Sequence, residues 1–308
     1  MKAKTKDGEA GGFLRGRRLT FASAMIAVLV LAGVLLFVYR GPPAEPKAAI
    51  VDQLGSSLLP EGVGFPNKPF VNATKELLYK FFPKVDYYSN NATVENYKSL
   101  SSQGYKLILW RAHSALDLES KYIAICTSER ESSANYDQYL ENEQLTLCNI
   151  TDSNLYFGIT PKFVGECMSG RFEDTVVVLM SCNGLKQGYE ATAESFIQRG
   201  AKVFISWDGW ILPSDNDNGI TMLLSYLIND NNIIAEAVEK IPVSSSMLGL
   251  SRLRYYPLSS EASNYRIPNY NINTSQSVSG FLKANVLKNE FLRRLRTGRL
   301  SVLVVSRR

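Results

Sequence analysis

Short, nearly continuous apolar runs punctuate this chain, separated by stretches whose apolar residues recur every three or four positions. The runs are residues 48–51, 105–110, 122–125, 176–180 and 202–206, with 85–88 a more polar sixth. Runs of this length without a polar face predict strands buried on both sides. The intervening pattern predicts helices. One covers 67–82, where Phe70, Leu77, Leu78, Phe81 and Phe82 keep helical spacing. Another starts at Thr93 as its cap and runs through Leu100, a third covers 189–199 with Gly200 closing it, and a fourth covers 218–227. Asp215 or Asp217 is available to cap the fourth. The run at 122–125 reads as the start of an inserted hairpin, and the polar stretch 128–144 as a surface excursion. Buried strands alternating with amphipathic helices predict an α/β domain, a mostly parallel sheet with helices on both faces.

One apolar stretch breaks this scale. Residues 19–39 contain no charge, and about twenty apolar residues are what a helix needs to cross the hydrocarbon of a bilayer. A cleavable signal peptide has a shorter apolar core, about 7–15 residues, ending at small residues. Here the run stops at Arg40-Gly41-Pro42-Pro43, so it reads as an uncleaved signal-anchor. Six Lys/Arg precede it, and only Arg40 and Lys47 follow closely. The positive-inside rule then keeps residues 1–18 as a cytoplasmic tail and sends the rest outside the cell membrane. Residues 40–46 form a linker, 47–280 the α/β domain and 281–308 a basic tail. Four Asn-x-Ser/Thr triplets, at Asn72, Asn91, Asn149 and Asn273, all follow the span and are candidate glycosylation sites. The tail carries eight Lys/Arg against Glu290. Its segment 291–296 is amphipathic and could meet anionic lipid, but a solvated tail is the reading adopted.

Charge changes the picture little. The formal net charge is +5, yet the basic residues gather at the two ends. The middle is slightly acidic, which argues against nucleic acid as a partner. The four cysteines are Cys126, Cys148, Cys167 and Cys182. In an oxidising compartment, Cys126–Cys148 is the expected disulfide, with buried free thiols the alternative.

His113 is the only histidine. Zinc hydrolase sites usually need two or three imidazoles, so no metal is expected, and any imidazole acid–base chemistry near neutral pH falls to His113. It follows the strand 105–110. Cys182 follows the strand 176–180 through Ser181 and precedes Asn183-Gly184. Ligand sites in parallel sheets lie at the carboxyl ends of strands, where His113, Cys182 and Asp208 all fall. A thiolate made beside an imidazole is a nucleophile, and Gly184 would let backbone N–H groups turn toward an oxyanion. Taken singly, a lone histidine or a buried cysteine is more often structural.

The order of these pieces resembles the clan of caspases, legumains, gingipains, separases and CHAT-domain proteins. There, an apolar strand ends in His-Gly and the next core strand in the catalytic Cys. The matching stretches are 107–114, 176–184, and Gly200-Ala201-Lys202-Val203-Phe204-Ile205-Ser206-Trp207-Asp208, which looks like the corresponding stretch of separases and CHAT domains. The resemblance spans about residues 47–228. It implies a caspase-like fold, a His113/Cys182 dyad, an oxyanion hole involving the residue at Ser114 together with Gly184, and no cofactor, although some clan relatives need calcium. Ser114 stands where the clan often has glycine, and Ser181 departs from the caspase pattern, so aspartate specificity is not implied. Separases hold an acid shortly after Trp-Asp that binds arginine, and Asp208, Asp215 and Asp217 occupy that neighbourhood. The expectation is a membrane-anchored extracytoplasmic cysteine endopeptidase cleaving peptide or protein substrates, after basic residues. The alternatives are a catalytically silent peptidase-like module that binds peptides or glycans, and a tethered signalling scaffold.

Overall fold

The computed structural model describes residues 45–271 apart from 152, 153 and 248. The expected span at 19–39, the basic tail and Asn273 lie outside the described residues. Among those described, no helix is long and apolar enough to cross a membrane.

Among the described residues, twelve strands form three sheets. In chain order they are β1 Lys47–Asp52, β2 Lys84–Tyr88, β3 Tyr105–Arg111, β4 Ser114–Asp117, β5 Tyr122–Arg130, β6 Leu145–Thr151, β7 Asn154–Ile159, β8 Thr175–Met180, β9 Ala201–Trp207, β10 Ser244–Ser246, β11 Gly249–Ser251 and β12 Leu253–Tyr256. The helices are α1 Lys68–Leu78, α2 Val94–Ser99, α3 Asp137–Glu141, α4 Pro161–Glu166, α5 Ala191–Gln198, α6 Pro213–Leu224, α7 Ile234–Glu239 and α8 Ser260–Ser263.

The central sheet has the order β12-β9-β8-β3-β1-β2. All its pairings are parallel except that of the edge strand β12 with β9. Alternate residues of these strands feed two cores. Ala48, Ile50, Leu107, Leu109, Val176, Val178, Val203 and Ile205 pack with Phe70 and Leu78 of α1, Ile220 and Leu223 of α6, and Ala237 of α7. Ala49, Val51, Ile108, Trp110, Val177, Leu179 and Phe204 pack on the other face with Tyr97 of α2, Phe163 of α4 and Phe196 of α5. Both faces are therefore covered, which is why these strands read as unbroken apolar runs. The parallel α/β architecture is the expected one.

Local signals set several boundaries. The side chains of Asn67 and Thr93 cap α1 and α2 by accepting from Phe70 N and Asn96 N, and Gly200 takes the left-handed φ of +103° after α5. Two expectations need correction. The run at 122–125 ends a hairpin rather than beginning one: it pairs antiparallel with the preceding β4, Ser114 opposite Ile125 and Asp117 opposite Tyr122, and β5 lies inside a second, four-stranded sheet of order β4-β5-β7-β6. This sheet lays Ile123, Ile125, Phe157 and Ile159 on the second core. The helix expected at 218–227 starts earlier, at Pro213, and neither aspartate caps it. Proline suits a first helical position, where its missing N–H costs nothing, and Asp215 and Asp217 fall inside the helix.

Candidate functional site

The chain leaves β1 to form β2 on one side, then returns to lay β3 on β1's other side. This reversal makes the carboxyl ends of β1 and β3 the switch point where parallel sheets place ligands. β3 and β8 run in register there, with Arg111 opposite Met180. His113 and Cys182 each lie two residues past that pair. The two chains stay together beyond the strands, since Ala112 N donates to Met180 O at 3.3 Å and Ser114 Oγ donates to Cys182 O at 2.5 Å. Neither His113 nor Cys182 is fully buried.

His113 is held on three sides. Its Nε2 lies 2.8 Å from the carbonyl oxygen of Val63. A carbonyl can only accept, so Nε2 carries the proton and Nδ1 is the bare nitrogen of the neutral ring. The ring of Phe65 meets it edge-on at 6.1 Å. The backbone N–H of His113 donates to Gln53 Oε1 at 3.0 Å, and Gln53 Nε2 donates to Thr127 O at 3.2 Å. Burial pushes the imidazole below its ordinary value of 6.5; the Val63 bond opposes that shift and the Arg111 charge adds to it.

Cys182 packs against the core shared with α6 and α7. Its Sγ lies 3.6 Å from Ile211 O and 3.5 Å from Ile211 N. Burial raises the thiol above its ordinary value, and the Ile211 bond partly offsets this. Burial thus favours the neutral form of both side chains.

The residues after Cys182 form a turn packed on β9. Gly184 is buried against β9, and a Cβ there would collide with the side chain of Ser206. Close packing with β9 therefore accounts for this glycine. The left-handed residue is Asn183, at φ +57°. Its N–H donates to Gly209 O and that of Leu185 to Trp207 O, which binds the turn to the end of β9.

The three acids separate. Asp217 is 3% exposed, and both its oxygens accept from Arg111, at 2.7 Å from Nε and 2.8 Å from Nη2. Asn67 Nδ2 adds a further bond at 2.9 Å. A carboxylate committed this way is not free for a substrate cation. Asp208 accepts from Arg252 N at 2.7 Å and Arg254 Nε at 3.0 Å. Asp215 accepts from Ser244 Oγ at 2.7 Å and is only half-buried. Asp208, Leu185 and Lys186 begin an open groove of about 1220 Å³ that continues along β12 and α7 past Val238, Leu253 and Tyr255. Its walls include neither His113 nor Cys182.

Arg111 was not singled out by sequence reasoning, although it is the most heavily bonded side chain here. Besides Asp217, it donates from Nη1 to Asp52 Oδ1 at 2.9 Å and from Nη2 to Phe65 O at 2.8 Å. The available signal was an arginine closing an apolar run, which says nothing of partners 59 and 106 positions away.

The expected disulfide is not formed. Cys126 and Cys148 are free, buried thiols on β5 and β6, which are separated by β7. Strands two apart in a sheet are about 9.5 Å apart, beyond the roughly 4.4–6.8 Å between Cα atoms that a disulfide spans. The two sulfurs instead meet over Gly158, where a Cβ would collide with the Cys148 sulfur. Asn72, Asn91 and Asn149 are exposed. Among the described residues, no cluster of three or more His, Cys, Asp or Glu is placed to hold a metal ion. No family model matches the chain, and no curated protein sequence does.

Proposed function

We propose that this chain is a cysteine peptidase of the caspase–gingipain kind, membrane-anchored through residues 19–39, with its α/β domain outside the cell. The observation that carries the reading is the His113–Val63 bond. By engaging Nε2, it leaves Nδ1 as the nitrogen that accepts a proton, on a strand end in register with that of Cys182. His113 takes the thiol proton as Cys182 attacks a peptide carbonyl, then gives that proton to the departing amine. Water hydrolyses the resulting thioester with His113 again as base. Val63 O is the orienting third member, a role filled by backbone rather than by a side chain.

For specificity, Asp215, which spends only one oxygen on Ser244, is the acid available to a Lys or Arg side chain through charge-assisted hydrogen bonds, whereas both oxygens of Asp208 are taken by Arg252 N and Arg254. Cleavage of peptide sets carrying Arg, Lys, Asp or Asn before the scissile bond tests this. The reading requires hydrolysis that depends on both His113 and Cys182, with Arg or Lys preferred; no hydrolysis of any set, or activity surviving Cys182→Ala, refutes it.

One observation favours a silent binding module instead. The Cys182 sulfur is engaged by the Ile211 backbone on both its donor and acceptor sides, and burial disfavours its thiolate. A covalent thiol probe separates the two readings: labelling of Cys182 that disappears in His113→Ala belongs to the peptidase, whereas an unreactive Cys182 belongs to the module.

A further inference from the structure

The segment between β1 and α1, residues 53–67, supplies both the carbonyl and the ring that hold His113. Its ties to β3 converge on one residue. The carbonyl of Arg111 accepts from Gln53 N at 2.8 Å and Leu54 N at 3.4 Å. The guanidinium of the same residue donates to Phe65 O at 2.8 Å, two positions after the carbonyl that holds His113. Asp217 and Asp52 fix that guanidinium in place, the former as a two-pronged fork. Asp52 is itself fastened by Gly55 N at 2.9 Å and Tyr87 OH at 3.1 Å. Asn67 links Asp217 to the cap of α1.

From this convergence we infer that Arg111 is a positioning residue: its bond to Phe65 O sets the Val63 carbonyl, and so fixes the proton of His113 on Nε2. The segment's own bonds, Phe65 N to Leu54 O at 2.7 Å and Val63 N to Pro60 O at 3.1 Å, shape the loop but do not seat its far end on β3. Lysine cannot replace arginine here. A single ammonium cannot present parallel donors to Asp217 while also reaching Asp52 and Phe65 O. Besides His113 and Cys182, the titratable groups gathered at the switch point are Arg111, Asp52, Asp217 and Tyr87, and the one guanidinium balances one of the two carboxylate charges it bridges. The catalytic meaning of this device rests on the peptidase reading, but the device itself does not.

Because His113 is the only histidine, a ¹⁵N-histidine-labelled full chain gives one imidazole signal, which reports tautomer and titration without reference to activity. Wild type should show a single Nε2–H tautomer; an Nδ1–H tautomer there overturns the inference at once. In Arg111→Lys the signal should become a mixture of tautomers, with its titration moved further below the ordinary imidazole value, because the Val63 bond that opposes the downward shift is loosened. Unchanged tautomer and titration in a folded Arg111→Lys contradict it. If that variant does not fold, Asp217→Asn decides: it keeps the shape and loosens the fork, and should move the same signal in the same direction by a smaller amount. No movement contradicts the inference. A tautomer change in a protein that cleaves nothing would retain the positioning role while removing the peptidase.

Discussion

Arg111 and Asp217 meet through two parallel hydrogen bonds, 2.7 and 2.8 Å long, across the junction of β3 and α6, with both side chains removed from solvent. With Asp52 on the other side, the guanidinium draws together the ends of β1 and β3 and the first turns of α6. The residue that closes this buried polar cluster also lies two positions before His113.

Removing the cation should therefore be far more harmful than a surface substitution. Arg111→Met leaves two buried carboxylates without their counter-charge, and breaking such a pair from one side costs about 3–5 kcal/mol. Urea unfolding of the full chain should show a loss of that size. A loss under about 1 kcal/mol, the range of exposed pairs, would mean the cluster is solvated.

Gln53 is fully buried and joins His113 N to Thr127 O. Gln53→Ala strands a donor and an acceptor in the interior, at about 1–3 kcal/mol for each group left unpaired. The midpoint of denaturant unfolding should fall accordingly. Gln53→Glu should also destabilise above neutral pH, where the Thr127 carbonyl would face a carboxylate.

The sign of the His113 shift fixes a pH dependence. A histidine whose folded value lies below 6.5 takes up its proton more readily when unfolded. Stability from this residue is intact above 6.5 and is lost as pH falls through 6.5 toward the folded value, at about 1.4 kcal/mol per unit of depression. His113→Asn should flatten this part of the stability profile. In activity, the acid limb should lie below pH 6.5, because the base stays neutral further down. An acid limb above 6.5 would show that burial does not dominate the imidazole.

Much of this architecture was legible in the sequence, and the misses have physical causes. β1, β3, β8 and β9 announce themselves because both of their faces are covered. β12 does not: Leu253 and Tyr255 alternate with an exposed Arg254 on a sheet edge, and edge strands need no apolar run. β4, from Ser114 to Asp117, is half-buried throughout and carries no periodic signal. The strand ends that bear His113 and Cys182 could be located, but the three things holding the imidazole could not. A backbone carbonyl at Val63 has no side-chain signature, Gln53 looks like a loop residue, and Arg111 meets its partners only after folding. Asp217 misled for the same reason, since nothing near it in the chain reveals that an arginine from β3 takes both its oxygens.

The glycine after the nucleophile candidate provides a packing test. Gly184→Ala must displace Ser206, whose hydroxyl donates to Leu179 O at 2.6 Å. Overpacking of this kind costs about 1–3 kcal/mol, to be read from thermal unfolding of the full chain. An unchanged midpoint would mean that β9 gives way.

The central claim is that His113 activates Cys182, and the most direct measurement is the alkylation rate of each cysteine, resolved by mass spectrometry after a short pulse of iodoacetamide. Cys126 and Cys148 are buried, and Cys167 serves as the half-buried reference. The account predicts that Cys182 reacts at least tenfold faster than Cys167 near neutral pH, and that His113→Ala abolishes this advantage while leaving Cys167 unchanged. Equal, slow alkylation of Cys182 with and without His113 would contradict it.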